Sequence, residues 1–254
     1  MTSHRRLFFG YNKYAALNML VAKWLRFFAA SEPYWYVTLG GTELTDVANV
    51  SWIDNELTSK VLTYEQDPIK YQLANEIAIR FKSKGIDAAA IRDDIFNYRR
   101  EGTSPPHIFY MDFLDVCSAK SYAREFKVWF ENDVIRPGDL LLITSYLGRN
   151  PGWQRVLKQY DSEFRILRVD TLQGQKNIYE VMHPLFVLFR GLIEAGLNNE
   201  LTLRCFGSVK YRDSSTMGIY GIICEEKMDD RVGLMSALTN ASFFNSMIPD
   251  WQSF

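Results

Sequence analysis

The stretch Tyr34 to Asp46, Y-W-Y-V-T-L-G-G-T-E-L-T-D, limits the fold more than any other part of the 254-residue chain. An aromatic and β-branched run, Tyr34 to Leu39, stops at Gly40-Gly41. Thr42 then stands where a helix N-cap stands, with Glu43 and Asp46 in the first turn. Strand, glycine turn and helix in succession begin a nucleotide-binding α/β unit, and the same pattern also serves ordinary strand-to-helix turns. The glycine pair lets backbone N–H groups come close to a ligand, since no Cβ intervenes. A helix N-terminus attracts phosphate, which Glu43 and Asp46 would repel. A ligand at this turn is therefore expected to lack a phosphate or to be cationic.

The rest of the chain repeats the theme. Met1 to Tyr11 reads as a basic and aromatic lead-in, and Tyr14 to Ala30 as a helix whose Leu17, Leu20, Val21, Trp24, Leu25 and Phe28 recur at helical spacing. Such a stripe suits packing on a sheet, and also a partner or membrane-surface helix. After the glycine turn, Leu44 to Val50 reads as a short helix and Ser51 to Ser59 as a polar loop. Val61 to Glu65 is a second strand. Asp67-Pro68 is an N-cap followed by proline at the first helical position, opening a helix to about Lys84 that Gly85 closes with a left-handed cap. Ile86 to Ile91 is a third strand, and Asn97 to Pro106 a charged loop. His107 to Met111 is a fourth, buried strand ending at Asp112. Ser118 to Asn132 is helical, and Leu140 to Thr144 is a fifth buried strand. Ser145 to Gly152 is a loop, Trp153 to Tyr160 a helix, Phe164 to Asp170 a strand-like insertion, and Asn177 to Gly196 a long helix. Leu201 to Val209 and Gly218 to Glu225 form a hairpin around a polar turn, Lys210 to Thr216. The tail, Met228 to Phe254, has no clear period, but Trp251 and Phe254 need something to pack on.

Composition narrows the function classes. Apolar residues make up 47% and aromatics 15%, enough for a core and unlike a disordered chain. A formal net charge of −1 gives no global basic field for nucleic acid or an anionic membrane. The three cysteines, Cys117, Cys205 and Cys224, are too scattered for a disulfide framework or a zinc site, which suits a reducing cytoplasm. Neither a cleavable signal nor an apolar run of about 18 residues is seen, so no membrane association is expected. His4, His107 and His183 lack metal-ligand spacing. There is no phosphate loop of the G-x-x-x-x-G-K-S/T type and no G-x-S-x-G nucleophile elbow.

Five alternating strand–helix units closed by a hairpin resemble the class I S-adenosylmethionine (SAM)-dependent methyltransferase fold, over roughly Tyr34 to Glu225. The resemblance implies a doubly wound, mostly parallel seven-stranded sheet of order 3-2-1-4-5-7-6 with strand 7 antiparallel. It divides the chain into a helical lead-in packed on the sheet (1–33), a Rossmann-like domain (34–227) and a tail (228–254). It also implies site residues. Leu39-Gly40-Gly41-Thr42 falls at the first motif, though the usual spaced glycines and preceding acid are missing. Glu65 falls where an acid at the end of strand two accepts from the ribose hydroxyls, and Asp93 or Asp94 falls near the adenine. Asp94 is taken for the site, although either aspartate could cap a helix. Tyr110 and Asp112, at the end of strand four, would face the acceptor. The Asp/Asn-Pro-Pro-aromatic stretch of DNA amino-methyltransferases is replaced by Asp112-Phe113-Leu114-Asp115, which disfavours DNA amino-methylation.

The expected function is thus a SAM-dependent methyltransferase of unknown acceptor, with Gly40, Gly41, Glu65 and Asp94 holding the cofactor. The alternative is a catalytically silent subunit that binds or assembles within a multi-protein complex, such as microbial defence clusters encode. Its protein partner would engage the C-terminal aromatic tail or the N-terminal helix.

Overall fold

The computed structural model describes residues 4–26, 33–39, 46–47, 58–112, 119–146, 168–171, 174–177, 200–212 and 216–226. Among them a helix, α1 (His4–Trp24), leads into β1 (Tyr34–Thr38) and β2 (Thr58–Tyr64). Then follow α2 (Pro68–Ser83), β3 (Ala88–Ile91), a 3-10 turn (Ile95–Asn97), β4 (His107–Asp112), α3 (Ala119–Glu131) and β5 (Leu140–Tyr146). The strands β6 (Arg168–Thr171) and β7 (Gly174–Asn177) form a separate antiparallel pair. The long strands β8 (Leu201–Arg212) and β9 (Thr216–Glu226) complete the chain's described part.

The main sheet runs β3-β2-β1-β4-β5-β9-β8. Pairs among β1 to β5 are parallel, whereas β9 is antiparallel to both β5 and β8. With the β6–β7 pair set aside, this is the strand order that the resemblance to class I methyltransferases implies, including the antiparallel strand beside β5. Parallel neighbours need long crossover connections, usually helical, and α2 between β2 and β3 and α3 between β4 and β5 supply two of them.

Register explains why the sheet is covered on both faces. Tyr36 pairs with Val61 and Ile108, Ile108 with Leu140, and Leu140 with Ile223. These residues share one face and pack in one core with Leu17, Leu20, Val21 and Trp24 of α1 and Ala78 of α2. Trp24 meets Tyr34 edge-on with ring centroids 5.6 Å apart. The alternate residues face the other way, where Phe109 lies 5.0 Å from Trp129 of α3, and Phe96 meets Phe126 edge-on and Trp129 at a tilt. The central strands β4 and β5 are thus buried on both sides, which accounts for their unbroken apolar runs.

The ends of α2 follow its sequence signals. The Asp67 carboxylate accepts from the N–H groups of Ile69 (2.9 Å) and Lys70 (3.0 Å), and Pro68 opens the helix. Gly85 sits at φ 89°, and the Gly85 and Ile86 N–H groups donate to the Lys82 and Phe81 carbonyls at 3.1 Å, the paired bonds of a Schellman cap.

Several boundaries move. The helix α1 begins at His4 instead of Tyr14. No proline interrupts His4 to Lys13, and once a helix is nucleated each residue adds a bond whether or not it carries the apolar stripe. Strand β2 starts at Thr58, within the expected loop. Its first residues are polar but still pair with β1, and Lys60 Nζ rests 4.2 Å from the centroid of Trp35. The last hairpin is longer than its polar residues suggest, since Lys210, Tyr211 and Arg212 pair with Gly218, Met217 and Thr216. Asn177, the first residue of the stretch expected to contain a long helix, ends β7. The expected helices over 153–160 and 178–196, and the tail from 228, lie outside the described residues. Among the described residues, no helix is long and apolar enough to cross a membrane.

Candidate functional site

In an open α/β sheet, ligands bind outside the carboxyl ends of the parallel strands. A cavity of about 190 Å³ lies there, lined by Leu39 after β1, Tyr64, Glu65 and Gln66 at the end of β2, and Asp93, Asp94 and Ile95 after β3. Three strand ends reach this one cavity because β3, β2 and β1 are neighbours in the sheet. The Glu65 N–H donates to the Ile91 carbonyl at 3.1 Å, which holds the ends of β2 and β3 level.

The acids are held in place by local bonds. Glu65 Oε1 accepts from the Asp67 N–H at 2.9 Å. Asp94 caps the 3-10 turn, its Oδ1 accepting from the Phe96 N–H at 3.0 Å, and its Oδ2 accepts from Gln66 Nε2 at 2.6 Å. Asp93 Oδ1 accepts from Asn97 Nδ2 (2.8 Å) and the Asp94 N–H (2.7 Å), and these bonds hold its carboxyl below the usual range. Burial pushes the Tyr64 phenol up to about 12, so it stays a neutral donor. Sequence reading placed Glu65 and Asp94 together, and the structure gathers them in one wall. Asp94 also acts as the cap that reading left open. Gly40 and Gly41 lie outside the described residues.

A second polar cluster lies at the same edge, on the α1 side of the sheet. Asp112, at the end of β4, is ion-paired through Oδ2 to Lys13 of α1, and their side chains are 14% and 17% exposed. Lys13 Nζ also lies 5.7 Å from the ring centroids of Tyr14 and Tyr110. Burial alone would lower the Lys13 pKa, but the Asp112 carboxylate outweighs it and the ammonium is held above its ordinary value. Tyr110 is buried, and the Thr144 hydroxyl donates to its oxygen at 3.3 Å. The residues expected to face an acceptor, Asp112 and Tyr110, are therefore together but covered by α1. Phe113 to Asp115 and Cys117 lie outside the described residues.

Asp46 corrects an expectation. As a first-turn acid it was expected to repel phosphate at the helix end. Instead it is 2% exposed, and its Oδ2 accepts from the hydroxyls of Thr38 (2.7 Å) and Tyr36 (3.0 Å). The side chain belongs to the layer between α1 and β1, where those hydroxyls reach it. Burial raises its pKa, while Thr38, Tyr36, Lys13 and the Val47 N–H pull the other way.

Sequence reading missed Lys13. The signal was present: Lys13, Leu17, Leu20 and Trp24 stand at i, i+4, i+7 and i+11, so a cation lies on the buried stripe of α1. It also missed the buried Arg100–Asp139 pair at the opposite edge, where both side chains are at most 3% exposed. His107 is neutral: its Nδ1 lies 2.7 Å from the Pro105 carbonyl and carries the proton, and Nε2 accepts from the Tyr98 hydroxyl at 2.6 Å. Among the described residues, no histidine, cysteine and carboxylate groups are arranged to hold a metal.

No protein-family model matches the chain, and no curated protein is similar to it in sequence. Solved structures with similar backbones include the SAM-dependent methyltransferase SibL in its apo form, 13% identical with a TM-score of 0.45. That similarity covers 81% of this chain and only 54% of SibL, so the chain spans about half of SibL's length. A SAM-dependent methyltransferase from Clostridium acetobutylicum is 10% identical with a TM-score of 0.48, covering 83% of this chain and 91% of that one. Magnesium protoporphyrin IX methyltransferase (ChlM) from Synechocystis, solved with bound SAH, is 10% identical with a TM-score of 0.45, covering 82% and 81%. The fold assignment rests on strand order and register, not on these similarities.

Proposed function

We propose that the chain is a SAM-dependent methyltransferase, with the cofactor's nucleoside at the carboxyl ends of β1, β2 and β3. One observation carries the proposal: in a sheet of this order, Leu39, Glu65 and Asp94 from three successive strand ends line a single cavity.

The residues present fit such a group. Glu65 keeps Oε2 for the ribose hydroxyls while the Asp67 N–H fixes Oε1. Leu39 and Ile95 supply apolar surface for a purine, and Asp93 and Asp94 supply acceptors near it. A wall of carboxylates disfavours a phosphate-bearing dinucleotide. The cavity of about 190 Å³ is smaller than a complete small-molecule site, which begins at roughly 300 Å³. Residues 40–45 continue the chain from its wall at Leu39. When bound, the cofactor would supply an electrophilic methyl group. The chain's own part is positioning, with Asp112 and Tyr110 on the acceptor side. A silent binding or assembly subunit is the second reading, favoured by the cover that Lys13 places over Asp112.

Calorimetric titration with SAM tests the proposal, and Glu65→Ala sharpens it. The variant is expected to bind at least about tenfold more weakly, since a charge-assisted bond is worth about 1.5–3 kcal/mol. Its fold should be unchanged by circular dichroism. Equal affinity in both proteins would remove Glu65 from the site. No binding by wild type up to millimolar SAM would remove the methyltransferase reading.

A further inference from the structure

We infer that the carboxyl end of β4 is an amine-binding subsite, which the chain's own Lys13 occupies in this structure. Lys13 Nζ meets the Asp112 carboxylate and lies within cation–π range of two rings, 5.7 Å from the centroids of Tyr110 and Tyr14. A carboxylate beside aromatic faces, largely withdrawn from water, selects an ammonium over a hydroxyl or a carboxylate.

A structural ion pair between a helix and a sheet would look similar, but two features separate the cases. Asp112 stands at the edge where this class of sheet takes ligands, and its other oxygen, Oδ1, is buried with no hydrogen-bond partner. A buried carboxylate oxygen left bare is costly, and points to a donor that the described residues do not supply. Close by on the same side, Asp46 is 2% exposed and its Oδ1 is likewise bare. Among the described residues, one lysine thus serves a region with two carboxylates, a balance that favours a further cation. The ligand class is a primary alkylamine, which would displace Lys13 or bind beside it at Asp112 Oδ1. Only the naming of this amine as the methyl acceptor rests on the methyltransferase reading.

The test uses the full chain without SAM and n-butylamine as the probe, with n-butanol and butyrate as controls. In Lys13→Ala the subsite is vacated. Butylamine is expected to bind at least about tenfold more tightly than to wild type, judged by NMR shifts or calorimetry. The alcohol and the acid should show no such gain. Adding Asp112→Asn should abolish it. If Lys13→Ala does not fold, Lys13→Met keeps the apolar stem and removes only the charge. Equal or absent amine binding in the folded variant overturns the inference. SAM affinity, measured separately, decides the cofactor reading on its own: a subsite that binds amine without any SAM binding keeps the first and discards the second.

Discussion

Asp139 and Asp46 are both essentially buried, at opposite edges of the same sheet, and they are held in opposite ways. At the amino-terminal edge, Asp139 Oδ2 accepts from Arg100 Nη1 (2.5 Å) and the Arg136 N–H (2.7 Å), and Oδ1 accepts from the His107 N–H (2.7 Å). Arg100 spends its other donors on Ser104 Oγ and the carbonyls of Val134 and Pro105. At the carboxyl edge, Asp46 has hydroxyls for partners, and Asp46 Oδ1, Thr63 Oγ1 and Asp112 Oδ1 are buried without any. Among the described residues, Asn18 Oδ1 and Trp24 Nε1 are also buried without a partner, and both lie along α1, which crosses the sheet from Lys13 at Asp112 to Trp24 at Tyr34, the start of β1. A closed network reads as stability, and an incomplete one as a place prepared for something else.

The largest effect should come from breaking the closed edge. Asp139→Asn leaves the Arg100 guanidinium in a buried setting without its counter-charge, and Arg100→Met leaves the carboxylate. Either is expected to cost about 3–5 kcal/mol, read as a lowered urea midpoint. SAM affinity of the folded fraction should not change, because the cavity residues lie at the other edge. A loss below about 1 kcal/mol would erase the contrast between the edges.

How much of this was legible follows from what each signal depends on. The succession of strands and helices was readable because apolar period and caps are local, and Asp67-Pro68 and Gly85 behave as written, whereas the order of strands within the sheet came only from the resemblance to the methyltransferase fold. Glu65 and Asp94 were readable because each stands directly after a strand, and parallel neighbours bring such positions together. Pairs between distant residues were not. Lys13 and Asp112 are 99 residues apart, and Arg100 and Asp139 are 39 apart. The stripe of α1 announces a buried cation at Lys13, but nothing local says which acid it meets, or that Arg100 and Asp139 meet at all. The burial of Asp46 was hidden for a related reason: a first-turn acid looks solvated until the hydroxyls of Tyr36 and Thr38 are known to lie beneath it. The starts of α1 and β2 were missed because main-chain bonds extend elements past the end of an apolar pattern.

A second expected effect is smaller and depends on pH. Burial, with Arg100 nearby, holds the His107 imidazole down at about 3, against an ordinary value of 6.5. Between those values the unfolded chain binds a proton that the folded chain refuses, so this contribution to stability is full above pH 6.5 and is lost as pH falls toward 3. Burial pushes Asp139 up to about 6 against the pull of Arg100, which acts in the opposite sense between 3.8 and that value. His107→Gln keeps the backbone N–H bond to Asp139 and removes only the titrating ring. The stability advantage of wild type over this variant should therefore shrink by up to about 1.4 kcal/mol per pH unit below 6.5 in urea titrations. An advantage independent of pH would mean that the ring takes up a proton in the folded state.

The smallest effect is expected at Asp46, and its sign separates the two edges most sharply. Asn keeps an oxygen to accept from Thr38 and Tyr36, and its amide puts a donor where Oδ1 is bare. No cation loses a dedicated partner, since Lys13 is bonded to Asp112. Asp46→Asn should therefore stay within about 1 kcal/mol of wild type at neutral pH, with a gain the expected direction. The raised carboxyl pKa of Asp46 fixes how that gain varies. The folded wild type binds a proton more readily than the unfolded chain, so wild type gains stability from this group as pH falls through the raised value and loses it as pH rises. The asparagine does not titrate. Its advantage should be greatest at neutral pH and disappear in acid, whereas Asp139→Asn is penalised already at neutral pH and more so as pH falls below about 6. Urea titrations of both variants at matched pH values would show it. A multi-kcal/mol loss in Asp46→Asn at neutral pH would place Asp46 with Asp139 among the charges that hold the fold together.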